Sequence, residues 1–81
     1  MESRNDIFEQ MTLRLSHVLD RPQSDFSEST VFADLNMKSV NYSQVTTYLE
    51  DAFDVEIAHM EFKRKKTIGE AVDFVVTLLE N

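Results

Sequence analysis

The 81-residue chain contains no cysteine, no tryptophan, one glycine and one proline. Without cysteine it has no disulfide framework and no cysteine-ligated zinc site, which is usual for a cytoplasmic domain. A single glycine excludes the glycine-rich loops that bind phosphates and dinucleotides. Sheet proteins commonly place glycine in turns of positive φ, so its scarcity also favours a helical bundle.

The chain also lacks a long apolar run. Its longest, residues 75–79, is far below the roughly 20 residues of a membrane span, and the polar start does not resemble a signal peptide. The net charge of −7 repels the phosphates of nucleic acids and anionic lipid headgroups. We therefore expect a cytoplasmic protein without a membrane span or a nucleic-acid partner. So short a chain builds one core, which predicts a single domain over residues 1–81.

Apolar spacing predicts a first helix that begins after Ser3 and ends near Asp20. Ser3 and Asp6 form a capping signal, and Pro22 disfavours helical angles in the residue before it. The apolar positions of this helix are Ile7, Phe8, Met11, Leu15, Val18 and Leu19.

Two further helices are predicted in the second half of the chain. One starts at Ser39, whose hydroxyl is expected to cap it, and runs to Phe53. The other follows a capping box of Thr67 and Glu70. A short fourth helix is expected around residues 59–65. The last helix presents an apolar stripe of Ala71, Val72, Val75, Val76 and Leu79.

The segments between these helices are expected to pack on the core as loops. Residues 21–38 are rich in Ser, Asp and Thr but retain four apolar side chains, Phe26, Val31, Phe32 and Leu35, and a short helical turn fits within them. Residues 54–57 alternate polar and apolar side chains, which predicts a loop that inserts Val55 and Ile57 into the core.

Ser39 is the first candidate for chemistry. Nucleophilic catalysis would require a base beside it, but His17 and His59 lie on other segments, so we expect no catalytic residues. A phosphate on this hydroxyl would lie at a helix N-terminus, where free N–H groups and the helix dipole favour anions.

Two charged clusters are better explained as solvated surface than as binding sites. Residues 50–61 contain five acids but lack the spacing and glycine of a calcium loop, so no metal site is expected, even with His59 nearby. The basic run at residues 63–66 is expected to form a solvated turn or to pair with neighbouring acids.

Three segments in register resemble the acyl carrier protein family. Residues 35–40 read Leu-Asn-Met-Lys-Ser-Val, where the family has Leu-Gly-x-Asp-Ser-Leu. Residues 49–57 resemble the Leu-Glu-x-x-Phe helix end and the Asp-Ile-Glu-Ile-like segment that follows it. Residues 67–74 resemble the start of the family's last helix. With the first helix, the resemblance covers essentially the whole chain.

The resemblance implies an all-α bundle of three or four helices with a long first loop, in which Ser39 carries covalent 4′-phosphopantetheine. The arm supplies the thiol that the chain lacks, and partner enzymes supply catalysis. The implied partners are a phosphopantetheinyl transferase and acyl-transferring or condensing enzymes of fatty-acid, polyketide or related biosynthesis, with the carrier acting as a monomer. An interior of Val45, Leu49, Phe53, Ile57, Met60 and Val72 could shelter an acyl chain or form a closed core.

The resemblance also implies a partner-docking surface, and here the chain departs from the family. Lys38 replaces the usual Asp, Val40 replaces Leu, and Asn41 and Gln44 stand at positions that are often acidic; acidity returns only at Glu50 and Asp51. Because surface charge controls partner choice, these changes predict a dedicated set of partners. The alternative is an unmodified carrier-like domain that acts as a protein-interaction module.

Overall fold

The computed structural model describes residues 3–80, and all the regular structure in that range is helical. Helix α1 spans Arg4–Leu19, α2 spans Ser39–Phe53, α3 spans His59–Lys63 and α4 spans Ile68–Glu80. Two 3₁₀ turns, Gln23–Asp25 and Phe32–Leu35, lie in the connection between α1 and α2. The prediction of an all-α bundle with a long first loop and a short extra helix is confirmed.

The starts of α1 and α4 follow the predicted capping signals. The Ser3 hydroxyl accepts from the Asp6 N–H at 3.2 Å, and the Asp6 carboxylate accepts from the Ser3 N–H at 3.1 Å. The Thr67 hydroxyl accepts from the Glu70 N–H at 3.1 Å. The Glu70 carboxylate, however, accepts from the N–H of Lys66 instead of Thr67, so the second box is shifted by one residue.

Helix α2 starts differently from the prediction that Ser39 caps it. Lys38 is the N-cap residue and Ser39 is the first helical residue. The Lys38 carbonyl already accepts from the N–H groups of Asn41 and Tyr42, so the helical bonds begin one residue earlier than expected. The Asn41 side chain accepts from the Lys38 N–H at 2.9 Å, whereas the Lys38 side chain makes no capping bond. The capping role of Ser39 is therefore wrong.

The core is filled with side chains from all four helices and the first loop. Phe26, Phe32 and Leu35 are buried as predicted, but Val31 is 37% exposed and instead forms an isolated antiparallel bridge with Thr67. Ile57 is buried, while Val55 is only partly buried. The fully buried residues include Ile7, Met11, Leu15, Val45, Leu49, Phe62, Ile68, Ala71, Val72 and Val75.

An aromatic cluster closes the interior between the first loop, α2 and α3. The ring centroids of Phe32, Tyr42 and Phe62 lie 5.8–6.4 Å apart, in tilted and edge-to-face arrangements. Met60 was expected to line this interior, but it is 66% exposed, because the five-residue α3 directs Phe62 inward instead. The interior is therefore packed with aromatic and aliphatic side chains and excludes Met60.

Arg4, the first residue of α1, joins this helix to the first loop and to α4. Its guanidinium donates to both carboxylate oxygens of Glu28, at 2.6 and 2.7 Å, and to Asp73 at 2.7 Å. The Gly69 N–H donates to the Glu28 carbonyl at 2.9 Å, and a Cβ at residue 69 would lie 2.6 Å from the Glu28 carboxylate. The single glycine therefore permits the close approach of the first loop to α4.

Candidate functional site

The candidate site is centred on Ser39 at the exposed start of α2. Ser39 and its neighbours Lys38 and Val40 are all exposed, Val40 by 58% although it is apolar. As the first helical residue, Ser39 places its hydroxyl beside backbone N–H groups that have no partner within the helix. The hydroxyl is therefore accessible to a modifying enzyme.

A lysine from another helix contacts this hydroxyl. Lys63, the last residue of α3, donates from Nζ to Ser39 Oγ at 3.3 Å. The same ammonium lies 5.6 Å from the ring centroid of Tyr42, within cation–π range. Partial burial raises the pKa of the Tyr42 phenol. Sequence reasoning missed this role of Lys63, because the contact joins residues 24 positions apart and leaves no local pattern.

The surroundings of Ser39 fit a covalently attached phosphate better than a catalytic nucleophile. Within residues 3–80, neither His17 nor His59 hydrogen-bonds to Ser39, and the first turn of α2 contains no acidic residue. Unpaired N–H groups, the helix dipole and the Lys63 ammonium all stabilise negative charge. The residues present are therefore compatible with a phosphodiester on Ser39 Oγ.

Three of the predicted docking residues share the outer face of α2. Val40, Gln44 and Asp51 border a shallow groove of about 370 Å³, together with Arg14 of α1 and the ring of Tyr48. Their helical spacing puts them on one side of α2. The Arg14 guanidinium stacks 5.2 Å from the Tyr48 ring centroid. This face changes from apolar near Ser39 to acidic near the end of the helix.

Two other predicted docking residues also have bonds within the domain. Asn41 accepts from the Lys38 N–H and contacts Gln44 at 3.4 Å, so it organises the start of α2. Glu50 accepts from the Ile57 N–H at 2.8 Å and so holds the loop between α2 and α3. Docking through Asn41 and Glu50 remains a prediction.

The basic run at residues 63–66 lies along a second groove, of about 510 Å³, between the first loop and the turn from α3 to α4. The Lys65 ammonium lies 4.8 Å from the Phe74 ring centroid, and Arg64 and Lys66 are exposed. In the part of the chain that the structure describes, no ion pair joins this run to a carboxylate. Arg64 and Lys66 are thus solvated as predicted, whereas Lys63 and Lys65 are partly buried beside aromatic rings, and pairing with acids is not observed in the described residues.

Two features are absent from residues 3–80. No helix there is long and apolar enough to cross a membrane. No group of three His, Asp or Glu side chains lies close enough to hold a metal ion.

Comparison with known proteins gives a consistent result. The family model for the phosphopantetheine attachment site matches residues 9–75. The acyl carrier protein of Acidothermus cellulolyticus is 31% identical over 74 residues, which cover 90% of this chain and 88% of that protein. The acyl carrier protein of Borreliella burgdorferi strain ZS7 is 29% identical over 72 residues, covering 88% of this chain and 90% of the relative.

A solved structure shares the fold. The HMG-ACPI domain of the CurA module from Lyngbya majuscula superimposes with a TM-score of 0.79 at 18% identity, over 95% of this chain and 78% of that domain. The predicted resemblance to acyl carrier proteins is confirmed in both sequence and fold. This chain belongs to the phosphopantetheine-attachment family of acyl carrier domains, which carry 4′-phosphopantetheine covalently and are not enzymes.

Proposed function

We propose that this chain carries acyl or aminoacyl groups as thioesters on 4′-phosphopantetheine attached to Ser39, with residues 1–81 acting as one carrier domain. The observation that carries the proposal is the exposed Ser39 hydroxyl in the first turn of α2, in register with the family's attachment motif. When bound, the prosthetic group supplies the thiol that holds the acyl group.

The residues around Ser39 have complementary roles in this proposal. The helix N-terminus and the Lys63 ammonium stabilise the negative charge of the phosphodiester. The exposed apolar side chain of Val40 gives a partner enzyme a contact next to the attachment point. The closed aromatic interior favours a carrier that presents its cargo at the surface.

The partners that we propose are a phosphopantetheinyl transferase and the acyl-transferring or condensing enzymes of fatty-acid, polyketide or related specialised biosynthesis. Around Ser39 these enzymes would meet the basic side chains of Lys38 and Lys63, with acidity only at Asp51 along the outer face of α2. Charge complementarity then favours dedicated partners over general ones that dock on an acidic helix. A cytoplasmic location, expected from the composition, and a monomeric state, implied by the family resemblance, are part of the proposal.

Loading by a transferase tests the attachment residue. The chain is incubated with coenzyme A and a broad-specificity phosphopantetheinyl transferase, and the product is analysed by intact and peptide mass spectrometry. Loading joins Ser39 Oγ to the phosphopantetheine phosphorus of coenzyme A, with release of adenosine bisphosphate and the hydroxyl proton. We expect one adduct, on the peptide that contains Ser39.

Serine variants make the result specific. Ser39→Ala should abolish the adduct, whereas Ser43→Ala, at an exposed serine one turn later in α2, should leave it intact. A wild-type chain that acquires no adduct, or an adduct that survives in Ser39→Ala, would refute attachment at Ser39.

A second function, a protein-interaction module without modification, is favoured by two observations. Lys38 occupies the position of the family's usual Asp, and two large apolar side chains, Val40 and Met60, are 58% and 66% exposed. The loading experiment separates the two functions, because the interaction module requires no adduct.

A further inference from the structure

The contact between Lys63 and Ser39 links α3 to the start of α2. Its donor and acceptor are both side-chain atoms, 3.3 Å apart. Within residues 3–80, it is the one side-chain hydrogen bond that joins α2 to α3. A bond between a lysine and a neutral serine hydroxyl at an exposed position contributes little to stability by itself.

Lys63 is held in place by an aromatic ring. Its ammonium lies 5.6 Å from the centroid of Tyr42, which follows Ser39 by three residues on α2. Lys63 is partly buried, whereas Lys38 and Lys66 are exposed. In the described range no carboxylate lies within ion-pair distance of Lys63. Its charge is therefore positioned beside Ser39 without being neutralised there.

Resting on the proposed attachment at Ser39, we infer that Lys63 is the counter-ion of the Ser39 phosphodiester and holds the root of the arm beside α3. The unesterified phosphate oxygens lie two bonds from Oγ, so an ammonium already bonded to Oγ reaches them by rotation of the lysine side chain. An ammonium–phosphate bond is charge-assisted and stronger than the bond to the hydroxyl. Modification therefore strengthens a contact that already exists in the unmodified chain.

This arrangement separates the arm from the docking face. A phosphate paired with Lys63 lies on the α3 side of Ser39, and the groove bordered by Val40, Gln44 and Asp51 remains open to a partner. Lys63 thus acts as a positioning residue for the prosthetic group, in addition to the charge that the helix N-terminus provides.

The test is a thermodynamic cycle that combines two changes, the loading of Ser39 and the substitution of Lys63. Wild type, Lys63→Met, Lys63→Arg and Lys66→Met are each purified in unmodified and fully loaded form, with loading confirmed by mass spectrometry. Lys66→Met is the matched control: it removes the same charge three residues away, and the hydrogen bonds of Lys66 are made by its backbone. Melting temperature and the ³¹P NMR shift of the phosphodiester are measured at low and high salt.

For each variant, the melting temperature of the unmodified form is subtracted from that of the loaded form. At low salt this difference should be about 2–5 °C higher in wild type than in Lys63→Met. Lys66→Met should behave like wild type, and Lys63→Arg should retain most of the difference because it keeps the charge. The difference should shrink at high salt, where exposed pairs are screened. The ³¹P shift should move in Lys63→Met and not in Lys66→Met.

The cycle compares loading within each variant, so a loss of stability in unmodified Lys63→Met does not obscure the result. Equal loading effects and equal ³¹P shifts in Lys63→Met and wild type would overturn the role of Lys63 and leave attachment at Ser39 intact. Failure of every variant to load would overturn the attachment and the counter-ion together.

Discussion

The first turns of the long helices are built in two ways. Helices α1 and α4 each begin with a hydroxyl side chain that accepts from a backbone N–H, from Ser3 and Thr67, and each has an acid in its first turn. Helix α2 begins at a lysine N-cap and has no acid in its first turn. Its capping is limited to the bond from the Lys38 N–H to the Asn41 side chain.

The starts of α1 and α4 contribute to stability, whereas the start of α2 is linked to the proposed function. In α1 and α4, side-chain oxygens occupy the N–H groups and acids offset the positive end of the dipole, which stabilises the fold. A carboxylate in the first turn of α2 would instead repel a phosphate on Ser39. With attachment at Ser39 as proposed, the limited capping of α2 leaves its positive end available for the phosphate of the prosthetic group.

The largest effect is expected when α2 is given a side-chain cap like those of α1 and α4. Lys38→Asp supplies an N-cap acceptor and should raise the free energy of unfolding by about 1 kcal/mol. It also restores the acid that general phosphopantetheinyl transferases meet in the family, so we expect loading of Ser39 to accelerate about tenfold at low salt. Urea unfolding and initial rates of loading measure the two effects.

Lys38→Ser is the control that separates capping from charge. It supplies a capping oxygen without a negative charge, so it should stabilise the helix to a similar extent but accelerate loading less than Lys38→Asp. If Lys38→Asp loads at the wild-type rate or more slowly, Lys38 is not the feature that distinguishes this surface.

The second prediction compares the loss of the hydroxyl at two positions, Thr67 and Ser39. Thr67→Ala removes the cap of α4 and should lower the free energy of unfolding by about 1 kcal/mol, while loading of Ser39 stays unchanged. Ser39→Ala should change the stability by less than about 0.5 kcal/mol, because Ser39 is exposed and is not the cap.

Urea unfolding of the two variants at neutral pH measures this contrast, with loading followed by mass spectrometry. A loss in Ser39→Ala as large as the loss in Thr67→Ala would show that Ser39 stabilises the start of α2, which contradicts the separation of roles.

These helix starts also show how far the sequence predicts the fold. Ser3 and Thr67 could be identified because a capping signal lies within four residues of the chain. At α2, intrinsic preference favours Ser39 as the cap over its neighbour Lys38. The outcome depends on the Asn41 side chain, which accepts from the Lys38 N–H. Local preference therefore predicted a helix start to within one residue and assigned the wrong cap.

The errors elsewhere have related causes. Met60 and Phe62 both lie on the five-residue α3, which is too short for apolar spacing to identify its inward face. Val31 is apolar yet 37% exposed, and its bridge to Thr67, 36 positions later, leaves no local pattern in the sequence. At the site, Ser39 was predicted from its motif, whereas its contact with Lys63 depends on how α2 and α3 pack.

The smallest predicted effect concerns the ion pairs where α1 and α4 begin. Hydrogen bonds from Arg4 hold the pKa of Glu28 below its ordinary value of 4.5. A carboxylate with a lowered pKa in the folded state contributes stability above its unfolded pKa and loses it as the pH falls through the folded value. The side chains of Arg4 and Glu28 are 39% and 49% exposed, which limits the pair to about 0.2–1 kcal/mol.

Glu28→Gln should therefore destabilise the chain at neutral pH by this small amount, and its difference from wild type should vanish well below pH 4.5. Glu9→Gln is the control, because it makes the same charge change at an exposed position that has no ion pair in the described residues. Its difference from wild type should show no such pH dependence. Urea unfolding of wild type and the two variants, from neutral pH to well below pH 4.5, measures both differences in the free energy of unfolding. A Glu28→Gln penalty that persists in acid, where the carboxyl of wild type is also neutral, would contradict an ion-pair origin of the stability that Glu28 contributes.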